Sequence, residues 1–135
     1  MKKLDSRVEI KIFATLEIAF IVIPMFLTLW VLLLGPTPEI LLKHGYQNSE
    51  AFYRRILFFI LFYGPALIGA LGVLNFKQWG RKLLIIMNFV LVGHYIYHLY
   101  VTDFKFKITA LVSYGWAFWL IYFFSKRKIA QEFNK

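Results

Sequence analysis

The sequence predicts an all-α membrane protein, a bundle of four transmembrane helices with a short interfacial helix on the outer side. The 135 residues are 60% hydrophobic and 20% aromatic, which is more apolar surface than a water-soluble domain of this size can bury. Four apolar stretches each approach the ~20 residues needed to cross ~30 Å of hydrocarbon. One of these stretches is polar along a single face, which is typical of a span that packs against protein.

That stretch is the predicted third span, residues 83–102, which contains no charged residue. At about 100° per residue, its polar residues fall within one arc of roughly 120°. They are Asn88, His94, Tyr95, His98 and Thr102. The opposite side is apolar, so we expect the polar face to point into the bundle.

The first predicted span, residues 12–34, follows a charged lead and contains Glu17 and Pro24. A positive start before an apolar run resembles a secretory signal. Glu17 interrupts the run and no small-residue cleavage site follows, so we expect a retained span. Pro24 has no N–H to donate to the carbonyl of Phe20, which predicts a kink.

The outer loop is predicted to contain an interfacial helix over residues 38–44, between Gly35-Pro36 and Gly45. Thr37 is suited to cap its start, and a glycine is suited to end it. Asn48 or Ser49 is expected to cap the next span.

The second predicted span covers residues 51–75, and Gly64-Pro65 predicts a kink near its middle. Its first half is bulky and aromatic. Its second half is rich in small residues, which allow two helix backbones to approach closely. These residues are Gly64, Ala66, Gly69, Ala70 and Gly72.

A basic turn, NFKQWGRK, leads into the third span, and Phe104–Lys107 forms a second short turn before the fourth. The fourth predicted span, residues 108–125, has Ser113, Tyr114 and Gly115 near its middle. The tail, residues 126–135, places Ile129 and Phe133 four residues apart beside a basic face. This pattern predicts a short helix on the membrane surface.

Charge gives the predicted orientation. The net charge is +9, and most of the 16 lysine and arginine residues lie in the lead, the turn after span two and the tail. The positive-inside rule then places both termini in the cytoplasm. The remaining cations lie on the other side, where Arg54 and Arg55 can snorkel outward. They are Lys43, Arg54, Arg55, Lys105 and Lys107.

Basic residues at span ends are suited to lipid phosphates, so the lipid bilayer is the expected partner and nucleic acid is not. The chain has no cysteine, which excludes disulfides and thiolate metal sites. No nucleophile motif or phosphate-binding loop is visible, so we do not expect an enzyme.

Glu17 is the leading candidate for function, because a carboxylate inside a membrane costs ~2.5–3.5 kcal/mol at the centre. We expect it to face the bundle, with Asn88 at a similar depth as its partner. This arrangement suits a proton- or cation-carrying site. The alternative is a structural glutamate, protonated or snorkelled, near the inner interface.

His94 and His98 lie one turn apart on the polar face and are weak metal candidates. Nothing nearby in the sequence completes a metal shell, and a haem would need His94 from each half of a dimer. The alternative is histidines hydrogen-bonded in the core near Tyr114, Ser113 or Tyr63. We therefore expect no cofactor.

The segments NFKQWGRKLLI and IYFFSKRKIAQEF resemble patterns in small uncharacterised bacterial four-helix membrane proteins. The resemblance implies a four-span fold and an inner-membrane location. The chain also resembles the small multidrug transporters in its four spans and in the glutamate of the first. Its first loop is much longer than theirs.

Three functions are compatible with these patterns. We favour a non-enzymatic accessory or structural subunit that packs against other membrane protein subunits or forms a homo-oligomer. The second is a small proton- or cation-coupled transporter that uses Glu17 with Asn88 and the His94/His98 stripe. The third is a haem- or metal-binding membrane protein.

Overall fold

The structure, a computed structural model, describes the backbone of residues 5–101 and 108–134 and the side chains of residues 5–97 and 112–134. All regular structure in these ranges is helical, which confirms the predicted all-α class. The elements are α1 (Ser6–Leu33), α2 (Pro38–Lys43), α3 (Ser49–Phe58), a π-helical turn (Phe59–Tyr63), α4 (Gly64–Leu74), α5 (Gln78–Val101), α6 (Ile108–Ser125) and α7 (Arg127–Glu132). Thr102 and the predicted turn at Phe104–Lys107 lie outside the described residues.

Two helices in the described part of the chain are long and apolar enough to cross a membrane. They are α1 and the continuous helix Ser49–Leu74, which joins α3, the π-helical turn and α4. The predicted third and fourth spans coincide in sequence with α5 and α6. Their crossing of a membrane remains a prediction.

The helix starts follow the predicted capping residues. The Thr37 hydroxyl accepts from the Ile40 amide at 3.4 Å, and the Asn48 side chain accepts from the Ala51 amide at 2.8 Å. Gly45 has a φ of +82°, in the left-handed region that favours glycine after a helix. A short helix is therefore present where the sequence predicts one, as α2, and its position at a membrane interface stays a prediction.

The two prolines act differently on their helices. α1 continues through Pro24, and the Thr28 hydroxyl donates to the Pro24 carbonyl at 2.9 Å. In the second long helix, Pro65 lacks the N–H that would bond the carbonyl of Leu61. The helix widens into the π-helical turn Phe59–Tyr63 immediately before Gly64-Pro65. A wide turn of this kind is a recognised response to an interrupted hydrogen-bond ladder.

α4 and α5 pack backbone against backbone through glycines, as the small residues of the second span predict. A Cβ added at Gly80 would lie 2.6 Å from the Cα and carbonyl carbon of Gly72. A Cβ added at Gly69 would lie 3.0 Å from the amide nitrogen of Leu84. The tight turn between the helices places Phe76 at a φ of +52°.

Around the bundle, α1 packs beside α4, α4 beside α5, and α5 beside α6. α7 turns back against α1 and α6, and Arg7 on α1 forms an ion pair with Glu132 at 3.2 Å. Ile129 and Phe133 are buried in the same core cluster as Ile10 and Phe124. The tail is helical as predicted, but these two apolar side chains pack on the bundle instead of pointing away from it.

Arg81 ties the start of α5 to the end of α6, since its Nη1 donates to the Phe124 carbonyl at 2.8 Å. We expect Arg81→Gln to lower the free energy of unfolding by about 1–2 kcal/mol, because the carbonyl at the helix end loses a charged donor. Thermal unfolding in detergent micelles checks this. Lys82→Gln, which changes an exposed neighbour, should have no measurable effect. An equal loss in both variants would contradict the assignment.

Candidate functional site

A cavity of about 550 Å³ lies between α1, the helix around the π-helical turn, α5 and α6. Its volume is within the ~300–1,000 Å³ typical of small-molecule sites. Several of its lining side chains are polar, and they come from all four of these helices. They include Glu17, Tyr63, Asn88, His94, Tyr95 and Ser113.

Glu17 is the buried acid of the cavity, with 4% of its surface exposed. Trp116 on α6 donates its indole N–H to Glu17 Oε2 at 2.6 Å. The side chain of Asn88 on α5 lies next to the same carboxyl group. Asn88 is itself fixed, because its Nδ2 donates to the Leu84 carbonyl at 2.9 Å. The predicted juxtaposition of Glu17 and Asn88 is therefore present in the structure.

The local sequence of α1 explains why Glu17 points inward. Ala14, Ile21 and Thr28 are buried on the same face as Glu17, at intervals close to whole helical turns. Side chains on the other faces of α1, such as Ile23 at 60% exposure, point outward. The helical repeat therefore places the Glu17 side chain on the buried face of α1.

Trp116 is a site residue that the sequence analysis did not select. Its ring lies 5.3 Å from the ring of Phe20 and stacks on Trp119 at 5.8 Å, between ring centroids. Tryptophan in membrane proteins is enriched near the interfaces. Trp116 instead lies near the middle of the predicted fourth span. That unusual position could have indicated that its indole N–H has a hydrogen-bond partner inside the bundle.

The polar face of α5 points inward as predicted. Asn88 and Leu91 are buried and line the cavity, whereas Ile86 and Phe89 on the opposite side are more than half exposed. Val92, which the helical wheel places on the outer side, is instead buried in a cluster with Ala117 and Ile121 of α6.

His94 packs between two aromatic rings of the second long helix. Its ring centroid lies 4.7 Å from that of Phe58 and 5.6 Å from that of Phe62, with the second pair stacked. Among the described residues no group of three or more His, Asp or Glu side chains is placed to hold a metal ion. His98, the other weak metal candidate, lies outside the residues whose side chains are described.

Three tyrosines form part of the cavity wall: two line the cavity, and the third packs behind one of them. Tyr63 and Tyr95 lie close together and both line the cavity. Tyr114 packs edge-on against Tyr95, with ring centroids 4.3 Å apart. Its buried hydroxyl has no hydrogen-bond partner in the described part of the chain. The predicted polar-core residue Tyr114 therefore supports the wall and does not line the cavity itself.

Arg55 also lines the cavity and was not predicted as a site residue. Its guanidinium sits over the rings of Tyr46 and Phe59, at 5.7 and 5.5 Å from their centroids. Arg54 differs, because it lies outside the cavity and approaches Glu50 at 3.5 Å. Of the two arginines predicted to snorkel outward, one therefore belongs to the cavity.

Comparisons with protein-family models, curated proteins and solved structures find no match to this chain. The chemistry of the site is therefore argued from its own residues. A carboxyl group that accepts a hydrogen bond from Trp116, aromatic walls and a guanidinium form a site that can bind and orient a small molecule.

Proposed function

We propose that the chain is a four-span protein of the inner membrane, with both termini cytoplasmic, and that it acts as a small proton- or cation-coupled transporter. The observation that carries the proposal is the position of Glu17. It is buried in a cavity large enough for a small molecule, where Trp116 donates a hydrogen bond to its carboxyl group and Asn88 lies beside it.

A single acid in this position has two stable states within a membrane. A bare carboxylate is costly there, by ~2.5–3.5 kcal/mol at the centre. The group is stable either as the neutral acid or as a carboxylate paired with a bound cation. Alternation between a proton and a cation at one carboxyl group is the simplest way to couple their movements.

The surface of the bundle supports a membrane location. Large apolar side chains cover the outward faces of α1 and of the helix Ser49–Leu74, for example Phe26 at 65% and Ile60 at 64% exposure. The basic residues of the lead, the turn before α5 and the tail lie at one end of this surface in the proposed topology. The positive-inside rule assigns that end to the cytoplasm.

An accessory subunit is the function that the sequence patterns favoured, and it is the first alternative to transport. Apolar outward faces are equally suited to lipid and to partner helices, so they do not distinguish a subunit from a transporter. The cavity with its buried acid supports transport and has no evident use in a purely structural subunit. We therefore place the transporter first.

The test is uptake by the full-length protein reconstituted in proteoliposomes with an acidic interior. We expect the wild-type protein to drive accumulation of radiolabelled benzyltrimethylammonium, whose fixed charge keeps it from crossing lipid unaided. Glu17→Gln should reduce uptake at least tenfold, because the amide cannot exchange a proton for a cation. Glu9→Gln removes an acid from the first turn of the same helix and should leave uptake unchanged.

Two results would overturn the proposal. One is wild-type uptake no greater than that of protein-free liposomes. The other is a Glu17→Gln variant that folds and transports as well as the wild type. Circular dichroism and gel filtration of each variant show whether it has folded.

A further inference from the structure

We infer that the ligand of this cavity carries two opposite charges at its ends, an ammonium group for Glu17 and a carboxylate for Arg55, joined by a body about as large as one aromatic ring. The inference rests on the proposed function, since it names the class of molecule that the same site binds. Its basis is that one cavity is lined both by an acid, Glu17, and by a guanidinium, that of Arg55.

The guanidinium of Arg55 is oriented but has no anionic partner among the described residues. The rings of Tyr46 and Phe59 hold it by cation–π contacts, and no hydrogen bond or ion pair joins it to the described part of the chain. Arginine presents five N–H donors in a planar fork that matches a carboxylate. The ring contacts fix the position of the guanidinium, and no described residue accepts its N–H donors. The group is therefore suited to bind a ligand oxyanion.

The neighbouring arginine shows that this arrangement is specific to one position. Arg54 follows the common pattern of a surface cation, with a side chain 70% exposed and an ion pair to Glu50 one helical turn away. Arg55 instead turns toward the cavity. The two arginines are adjacent in the chain but face different surfaces of the helix.

The spacing between Arg55 and the residues around Glu17 sets the size of the ligand. Tyr63 lies within electrostatic range of both Glu17 and Arg55. Arg55 precedes Tyr63 by about two helical turns, roughly 12 Å along an α-helix. The cavity wall there is aromatic, with Phe58, Phe59 and Tyr63 lining it. An aromatic ring with a charged group at each end is complementary to this space.

Charge also gives the cavity its selectivity. A ligand with only an ammonium group can pair with Glu17 but gives the guanidinium of Arg55 no acceptor, so it should bind more weakly. A ligand with only a carboxylate would meet the same difficulty at Glu17. A molecule with both groups satisfies both ends, and unpaired groups of this kind are a common source of discrimination between ligands.

The experiment measures equilibrium binding of three radiolabelled probes to the purified full-length protein in detergent. The probes share one ring: 4-(aminomethyl)benzoate has both charges, benzylamine only the cation and benzoate only the anion. We expect 4-(aminomethyl)benzoate to bind at least tenfold more tightly than either of the others. Arg55→Gln should remove that advantage and leave benzylamine binding intact, which also shows that the variant folds. Arg54→Gln should change none of the three affinities.

The outcomes separate this inference from the proposed function. If benzylamine binds as tightly as 4-(aminomethyl)benzoate and Arg55→Gln has no effect, the inference is wrong, while transport that depends on Glu17 still stands. If Arg54→Gln weakens binding as much as Arg55→Gln, surface charge explains the effect and the inference is also wrong. Absence of binding by all three probes overturns it as well.

Discussion

Gly80→Ala should destabilise the bundle by about 3 kcal/mol or more, the upper end of the usual cost of overpacking. The added methyl group would lie 2.6 Å from backbone atoms of Gly72 and 2.8 Å from the amide nitrogen of Val73. Backbone atoms cannot rotate away as a side chain can, so the two helices must separate. Separation would also loosen the contact of Gly69 with Leu84. Thermal unfolding in detergent, followed by circular dichroism, measures the loss.

Gly93→Ala is the matched control on the same helix. A Cβ at Gly93 has no neighbouring atom within 4 Å, and alanine is a better helix former than glycine by about 1 kcal/mol. We expect this variant to be as stable as the wild type or slightly more stable. Equal destabilisation by the two substitutions would show that the close approach of α4 and α5 does not determine stability.

The second large effect is expected at the contact between Glu17 and Trp116. Trp116→Phe should lower the free energy of unfolding by about 1.5–2 kcal/mol beyond any packing loss, because a buried acceptor loses its donor. In a double-mutant cycle with Glu17→Ala, the coupling energy between the two residues should have a similar size. Unfolding of the four proteins in the same detergent gives this coupling energy.

Trp119→Phe provides the comparison for this cycle. Trp119 stacks on Trp116 and lies 4.1 Å from Phe13 between ring centroids, but Glu17 receives its indole hydrogen bond from Trp116. Its coupling with Glu17→Ala should be close to zero. A coupling as large as that of Trp116 would mean that aromatic packing, not the hydrogen bond, links α1 to α6.

The parts of the fold that depend on local pattern were predictable. Residues at helical spacing placed Asn88 and His94 on the inner face of α5, and capping chemistry placed the starts of α2 and α3. Each of these features is specified by a few neighbouring residues. The inward position of Glu17 follows in the same way from the cost of exposing an acid to lipid.

The remaining features depend on contacts between distant parts of the chain. Glu17 and Trp116 are 99 residues apart, and no local pattern connects them. The choice between Arg54 and Arg55 depends on the rotation of one helix against its neighbours. A proline predicts an interrupted helix, but whether the helix bends or widens into a π-helical turn depends on packing. The sequence therefore indicated the acid of the cavity, Glu17, but not its guanidinium, Arg55.

The contact of α7 with α1 bears on how the protein assembles during synthesis. The buried face of α1, which includes Ile10 and Ala14, belongs to one core cluster with Leu120, Phe124 and Phe133. α1 is synthesised well before these residues, and contacts of such long sequence separation form late. The first helix therefore keeps part of its core face uncovered until then. Completion of residues 120–133 is the step that covers this face and closes the bundle.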